Sequence, residues 1–126
     1  VEVNIDYGDD SDIDVYADEN TLSIVFINLM LNAIQASEPN SCIELKCVFR
    51  EGCLIIQVAD SGKGMSTKIQ ERILDPFFTT RESGTGLGLS NVKKIVELYG
   101  GKIKIESEER VGTTIKIELY NMVKHG

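Results

Sequence analysis

Three polar side chains share one face of a segment whose apolar residues have helical spacing. Asn28 and Asn32 are one helical turn apart, and Gln35 falls on the same side. Asparagine is unfavourable inside a helix because its side chain competes for backbone hydrogen bonds. Taken alone, the stripe is typical of a solvated face, although its amide oxygens could also line a polar site.

A carboxylate beside two glycines directly follows a mostly apolar strand pattern, in the sequence Asp60-Ser61-Gly62-Lys63-Gly64. Such residues often form no more than a turn. They could also form a binding site, because glycines let the backbone approach a planar ligand closely and the carboxylate accepts a hydrogen bond.

Alternating glycines open a helix pattern further along the chain, in Gly84-Thr85-Gly86-Leu87-Gly88-Leu89-Ser90. Several backbone N–H groups would face an anion at that helix N-terminus, where the helix dipole favours negative charge. Phosphate is the natural ligand. The spacing matches neither a Walker A loop nor a dinucleotide-binding fingerprint.

A fourth signal, Asp75-Pro76-Phe77-Phe78-Thr79-Thr80-Arg81, lies between the second and the third. Its aromatic pair could anchor a small core. Its arginine could bind a phosphate beside the glycine loop.

The elements that must position these motifs are predicted from hydrophobic spacing. Asp18 is a candidate N-cap, Thr67 with Gln70 has capping-box spacing, and Gly100-Gly101 is typical of a helix C-cap. Helices are predicted over residues 19–36, from Thr67 towards Pro76, and over about 88–99. Strands are predicted near residues 1–7, 13–17, 42–49, 53–59, 103–105 and 115–119, with a turn near Gly112.

The order β-β-α-β-β-α-loop-α-β-β predicts an α+β fold in two layers. We expect a mixed, mostly antiparallel sheet of about five strands, with about three helices packed on one face. Residues 1–126 have the length of a single domain. The chain starts inside a strand pattern, so we expect a fragment of a longer protein.

Charge and composition narrow the function classes. The chain has 13 basic and 20 acidic residues, for a net charge of −7, and residues 1–45 contain no Lys or Arg. This argues against a nucleic-acid partner there. No apolar stretch is long enough to span a membrane. The odd set Cys42, Cys47 and Cys53 predicts free thiols rather than a disulfide framework or zinc site. His125 is expected to be a disordered surface residue.

Taken together and in order, the four motifs resemble the catalytic ATP-binding (HATPase_c) domain of sensor histidine kinases, in the GHKL or Bergerat-fold superfamily. Asn28 to Ala36 resembles the N box, Asp60 to Met65 the G1 box, Asp75 to Thr80 the F box, and Gly84 to Ser90 the G2 box. The form of the F box resembles the nitrogen-regulation subtype.

The resemblance implies a site for ATP or ADP with Mg²⁺. Asp60 would accept a hydrogen bond from the adenine amino group, Asn32 would bind Mg²⁺, and Arg81 would contact phosphate. Asn28, Asn32 and Arg81 are the implied catalytic residues. The implied nucleotide contacts are Asn28, Asn32, Gln35, Ala36, Asp60, Gly62, Gly64, Met65, Ile73, Phe78, Thr79, Thr80, Arg81, Gly84, Thr85, Gly86, Leu87, Gly88, Leu89, Ser90 and Thr113.

Asn28 favours a kinase over a hydrolase. Related ATPases of the superfamily carry a glutamate there that activates water, whereas an asparagine cannot act as a general base. By resemblance, the acceptor is a histidine on a separate dimerisation hairpin, and His125 lacks that context. The fragment would therefore be an enzyme domain that cannot phosphorylate itself.

The resemblance further implies a downstream response regulator as partner, no nucleic acid, no membrane contact by this domain, and a monomeric fragment. We expect a cytoplasmic location, with a parent protein that can be membrane-associated. Two alternatives stay open: a GHKL serine kinase of the anti-sigma type, and a nucleotide-sensing module without catalysis.

Overall fold

This computed structural model describes residues 2–6, 14–16, 19–50, 52–76, 88–120 and 123–125. These ranges contain seven strands and three helices. The helices are α1 (Glu19–Ala36), α2 (Thr67–Arg72) and α3 (Gly88–Leu98). The strands are β1 (Glu2–Asp6), β2 (Asp14–Tyr16), β3 (Cys42–Arg50), β4 (Cys53–Asp60), β5 (Lys102–Glu108), β6 (Gly112–Leu119) and β7 (Val123–His125).

Five strands form one mixed sheet in the order β1-β3-β4-β6-β5. Only the β1–β3 pairing in this sheet is parallel, and the other neighbours are antiparallel. The predicted fold class, an α+β fold with a mostly antiparallel sheet, is confirmed. Strand β4 lies at the centre, as expected for a segment with few polar residues.

The two N-terminal strands do not pair with each other. Strand β2 pairs instead with β7 in a separate two-stranded sheet, where Asp14 is opposite His125. The sequence pattern did not predict β7, and the expectation that His125 is disordered was wrong. This pairing joins segments more than a hundred residues apart, which local hydrophobic spacing cannot detect.

Apolar side chains on one face of the sheet pack against α1 and α3. Cross-strand register aligns Ile56 with Ile117 and Val58 with Ile115. These residues form one core with the inner faces of both helices. The buried helical residues in that core are Val25, Leu29 and Ala33 from α1, and Leu89, Val92, Ile95 and Val96 from α3. The core therefore fixes both helices relative to the end of β4.

Helix ends explain where two elements begin and stop. The N-cap of α2 is Ser66, whose hydroxyl accepts the N–H of Ile69, so the predicted capping box at Thr67 was wrong by one residue. Helix α3 ends at Leu98, and the predicted C-cap glycine Gly100 follows it with φ of 65°. Gly100 and Gly101 donate to the carbonyls of Glu97 and Val96, which satisfies the last turn.

All three cysteines are free thiols, as the sequence predicted. Cys42 is exposed, whereas Cys47 packs against the core, and burial raises the pKa of its thiol. Within the described ranges, no helix combines the length and apolar character needed to cross a bilayer.

Candidate functional site

Asp60 is the last residue of β4, and its carboxylate is fixed by backbone groups. The N–H of Gly62 donates to Oδ1 at 2.9 Å. Thr113 is the cross-strand partner of Asp60 on β6, and its backbone N–H also donates a hydrogen bond to the carboxylate. Because two donors hold the side chain, its remaining lone pairs have a defined direction for a ligand.

Burial sets the electrostatics of this carboxylate. Desolvation raises the pKa of Asp60 above its ordinary value of 3.8, and the N–H groups of Gly62 and Thr113 offset part of that rise. A half-buried acceptor of this kind gains more from a ligand N–H than an exposed carboxylate does, because less water competes for it.

The turn after Asp60 lies directly against the end of α1. A Cβ added to Gly62 would stand 2.0 Å from the carbonyl oxygen of Ala36, so only glycine fits there. The next N–H, that of Lys63, donates to the same carbonyl at 3.1 Å. The predicted N-box helix and the predicted G1 turn are therefore joined by main-chain contact.

The same turn also contacts the β5–β6 hairpin. Gly64 has φ of 66°, and a Cβ there would come within 2.0 Å of the carbonyl oxygen of Glu108. The carbonyl of Lys63 accepts the N–H of Arg110 at 2.7 Å. Both predicted glycines are thus required by close backbone approach, and the turn is clamped from two sides.

Ser107 organises this region, and sequence reasoning did not select it. Its hydroxyl accepts the N–H of Met65 at 2.8 Å, lies 2.7 Å from Thr113 Oγ1, and donates to the carbonyl of Gly112. The amide of Gln70 donates to the carbonyls of Met65 and Ser107. A signal was present in the sequence: Ser107 continues the inward alternation of Ile103 and Ile105, and a polar residue at an inward position needs partners.

Asn28 lies beside the start of α3. Its amide donates to the carbonyl of Ile24 at 2.8 Å. A Cβ added to Gly88 would lie 3.0 Å from Asn28 Oδ1. The fold thus brings the predicted N box next to the last glycine of the predicted G2 box, 60 residues further along the chain.

The remaining predicted contacts divide into three groups. Asn32, Ala36, Met65 and Ile73 are half-buried, whereas Gln35 is exposed. Leu89 and Ser90 are buried, and Leu89 belongs to the hydrophobic core, so its side chain has a packing role. The rest lie outside the described residues: Phe78, Thr79, Thr80, Arg81, Gly84, Thr85, Gly86 and Leu87.

The described side chains fit a weakly coordinated Mg²⁺ better than a protein-bound metal cluster. No group of three or more His, Cys, Asp or Glu side chains in the described ranges could hold a metal ion. The amide oxygen of Asn32 is a hard ligand of the type Mg²⁺ accepts, and Mg²⁺ commonly takes few protein ligands together with substrate phosphates. Asn32 therefore fits as one ligand of a nucleotide-borne ion.

Residues 17–121 match the family described as histidine kinase-, DNA gyrase B- and HSP90-like ATPases. The chain belongs to this family. The match includes all four predicted motifs and the turn after β4. Together with the similarity to curated histidine kinases, it establishes the chain as the ATP-binding catalytic domain of a histidine kinase.

The curated relatives of this family member include a sensor histidine kinase and a sporulation kinase. The chain is 41% identical over 106 residues to sensor histidine kinase ZraS of Escherichia coli K12, covering 84% of this chain and 23% of the relative. It is 36% identical over 115 residues to sporulation kinase A of Bacillus subtilis, covering 91% and 19%. The chain thus spans about a fifth of these relatives.

Solved structures agree with the fold. The nucleotide-free catalytic domain of histidine kinase ThkA superposes with a TM-score of 0.82 at 36% identity, covering 95% of this chain and 78% of that one. Full-length ShkA in complex with AMPPNP superposes with a TM-score of 0.81 at 25% identity, covering 98% and 26%.

Proposed function

We propose that this domain binds ATP with Mg²⁺ and donates the γ-phosphoryl group to a histidine on the dimerisation hairpin of a two-component sensor kinase. The observation that carries the proposal is the half-buried Asp60 carboxylate, fixed by two backbone N–H groups at the end of the central strand. Asn28 of α1 lies beside Gly88 at the N-terminus of α3.

Asp60 gives the site its preference for adenine. Its carboxylate accepts a hydrogen bond from the adenine amino group, whereas guanine presents an oxygen at that position, and two acceptors repel. Met65 and Ile73, both half-buried near the G1 turn, form the apolar walls of the base pocket.

Asn32 and Asn28 face the phosphate end of the nucleotide. Asn32 provides one oxygen ligand to Mg²⁺, which when bound neutralises charge on the phosphates. The start of α3 at Gly88 directs backbone N–H groups to an anion. Thr79, Thr80, Arg81 and residues 84–87 complete the phosphate contacts as sequence-based predictions.

Asn28 determines what kind of acceptor the site serves. A nitrogen of the acceptor imidazole attacks the γ-phosphorus, the bond to the β–γ bridging oxygen breaks, and ADP leaves with that electron pair. Because imidazole brings its own lone pair, the step does not need a carboxylate base at position 28. Water does need one, so hydrolysis is slow.

The proposal extends to the parent kinase in four respects. The parent kinase belongs to the nitrogen-regulation-like subtype that the F-box sequence resembles, and a response regulator receives the phosphoryl group. The domain works in the cytoplasm, and the isolated fragment is a monomer. The similarity to sensor histidine kinase ZraS supports the response regulator as partner.

The test is calorimetric titration of the chain with ATP and GTP, each with and without Mg²⁺. We expect saturable ATP binding that Mg²⁺ strengthens, and much weaker GTP binding. In a second step, the chain, Mg²⁺ and radiolabelled ATP are incubated with the histidine-bearing hairpin of the same kinase. An acid-labile phosphoryl group on the hairpin supports the proposal. ATP binding without transfer would favour a nucleotide-sensing module, and transfer to a serine substrate would favour the anti-sigma type.

A further inference from the structure

The side chain of Gln70 bridges three parts of the fold. Its amide nitrogen donates to the carbonyl of Met65 at 2.9 Å and to the carbonyl of Ser107 at 3.0 Å. Both partners are acceptors, so the nitrogen rather than the oxygen of the amide must face them. A primary amide has two N–H groups, and here each has its own carbonyl. Gln70 therefore connects α2 to the turn after β4 and to strand β5.

The sequence pattern predicts a different role for Gln70. Thr67 and Gln70 have the spacing of a capping box, in which the glutamine accepts the backbone N–H of the N-cap residue. The N-cap is Ser66 instead, so Gln70 stands at the fourth helical position rather than at the third, where a capping partner belongs. Its side chain acts as a donor to carbonyls outside the helix, and this role needs an explanation other than capping.

Gln70 completes a ring of hydrogen bonds around Met65. The Met65 N–H donates to the hydroxyl of Ser107 at 2.8 Å, and the Met65 carbonyl accepts from Gln70. Both main-chain polar groups of Met65 are therefore bound within the fold. A methionine side chain has three rotatable bonds, so it has a defined position only when the backbone that carries it is fixed.

Burial contributes little to holding α2 beside this turn. None of the residues of α2 is buried, and Gln70 is half-buried. The apolar residues Ile73 and Leu74, which pack against the core, follow the helix. Hydrogen bonds that are partly shielded from water are stronger than exposed ones. The two bonds from Gln70 are therefore a main link between α2 and the turn.

We propose that Gln70 is a positioning residue for the adenine end of the nucleotide site, an inference that rests on the proposed function. Met65 is one of the two apolar walls proposed for the base, and Gln70 fixes the backbone from which that wall extends. Gln70 acts through Met65 and does not itself bind the nucleotide. Without its two N–H donors, Met65 moves away from the base and nucleotide binding weakens.

The experiment replaces Gln70 by two residues of similar length that differ in their donors. Gln70→Glu keeps the shape of the side chain but presents only oxygens to the two carbonyls, whereas Gln70→Lys keeps N–H donors. Each variant is compared with the same substitution at Thr67, an exposed residue of α2, so that the change in charge is matched. The affinity for ADP with Mg²⁺ is measured by calorimetry.

We expect Gln70→Glu to bind ADP about tenfold or more weakly than Thr67→Glu, because it loses two hydrogen bonds and sets a carboxylate against two carbonyls. Gln70→Lys should stay within about threefold of Thr67→Lys, because its donors replace those of the amide. Equal ADP affinity in Gln70→Glu and Thr67→Glu overturns the proposal, and so does an equal loss in Gln70→Glu and Gln70→Lys. A wild-type chain that binds ADP but transfers no phosphoryl group counts against the proposed function alone, whereas one that binds no nucleotide overturns both.

A second measurement uses the wild-type chain, so it does not depend on how a variant folds. NMR follows the side-chain amide of Gln70, with the exposed amide of Gln35 as the reference, and the methyl group of Met65. In the free chain we expect the Gln70 amide protons to exchange with water about tenfold more slowly than those of Gln35. Added ADP should shift the resonances of both the Gln70 amide and the Met65 methyl group. Exchange at Gln70 as fast as at Gln35, or a Met65 methyl group that ADP leaves unmoved, overturns the proposal.

Discussion

The N–H of Lys63 donates to the carbonyl oxygen of Ala36 at 3.1 Å, which ties the turn after β4 to the last residue of α1. The final carbonyls of a helix have no partner inside the helix. Here one of them is satisfied by the turn that carries the candidate adenine-binding carboxylate. Helix α1, which carries Asn28 and Asn32, and the turn after β4 are therefore joined through their main chains.

Gly62→Ala tests that unit. The added methyl group would collide with the Ala36 carbonyl at 2.0 Å, and backbone must shift to relieve it. We expect the free energy of unfolding to fall by about 1–3 kcal/mol, with weaker ATP binding, measured by chemical denaturation and calorimetry. Ser61→Ala, at an exposed neighbour, is the control and should change stability by less than about 0.5 kcal/mol. A Gly62→Ala protein of wild-type stability would show that the turn and α1 are not in contact.

Asp60→Asn separates ligand recognition from folding. The amide keeps an acceptor oxygen but loses the charge, and it can donate to guanine. We expect ATP affinity to fall by about tenfold or more and the preference for ATP over GTP to narrow. Stability at neutral pH should change by less than about 1 kcal/mol, because burial already disfavours the charged form.

Both nucleotides are titrated calorimetrically, with Asp75→Asn, an exposed carboxylate, as the control. An ATP-to-GTP affinity ratio that stays at the wild-type value in Asp60→Asn would remove Asp60 from base recognition.

Proton release provides a pH test of the same carboxylate. Burial raises the pKa of free Asp60 above 3.8, so at a given acidic pH more of this carboxyl is protonated than of an exposed aspartate. The adenine amino group stabilises the ionised form of Asp60 and lowers that pKa, so nucleotide binding releases protons. ADP affinity therefore falls as the pH drops through the raised pKa. Without nucleotide, the stability of the fold depends on pH in the opposite direction to ADP affinity. Protonated Asp60 favours folding, and this contribution to the free energy of unfolding is lost as the pH rises through the folded-state pKa.

Calorimetry of ADP in buffers of different ionisation enthalpy measures the protons released. Asp60→Asn should lose the part of the release that belongs to this residue. Equal proton release by both proteins across the acidic range would contradict the assignment.

Ser107→Ala tests the hydroxyl that accepts the Met65 N–H and so holds the turn after β4. The Met65 N–H and Thr113 Oγ1 would lose their shared partner. We expect a loss of about 1–2 kcal/mol in unfolding free energy and several-fold weaker ATP binding. Amide hydrogen exchange should increase at Met65 in particular, which a general loss of stability would not single out. Ser41→Ala, which removes an exposed hydroxyl bonded to the Glu38 carbonyl, is the control. Unchanged exchange at Met65 would argue against the positioning role.

Gly88→Ala should weaken ATP binding without lowering the thermal stability of the domain. Alanine is the better helix former by up to about 1 kcal/mol, and the nearest atom to its methyl group is the movable Asn28 Oδ1 at 3.0 Å. We expect equal or higher thermal stability with weaker ATP affinity, because Asn28 must turn aside. Gly101→Ala is the contrasting variant: its Cβ would meet the Glu118 carbonyl oxygen at 1.9 Å, so it should destabilise the fold by about 1–3 kcal/mol. The prediction fails if Gly88→Ala binds ATP as tightly as the wild type.

Local patterns were sufficient to locate most elements. The 3.6-residue spacing predicted α1 over the residues where it is found. The sequence pattern of residues 42–49 and the mostly apolar run of residues 53–59 predicted both strands of the β3–β4 hairpin to within a residue. Helix-capping chemistry predicted the C-cap of α3 at Gly100. It misplaced the start of α2 by one residue, because Ser66 and Thr67 are both good caps and only the observed hydrogen bond to Ile69 distinguishes them.

The sequence by itself determined the family, the fold class and the order of the motifs, because these depend on residue types and short spacings. Only the tertiary structure decided which residues meet: the pairing of β2 with β7, the clamp of Gly62 and Gly64 between two carbonyls, and the hydroxyl of Ser107 under the turn. It also decided that Ile27 and Leu31 are exposed while Leu29 is buried. Apolar residues all around one helix look alike in sequence, and only packing against the sheet determines which face is covered.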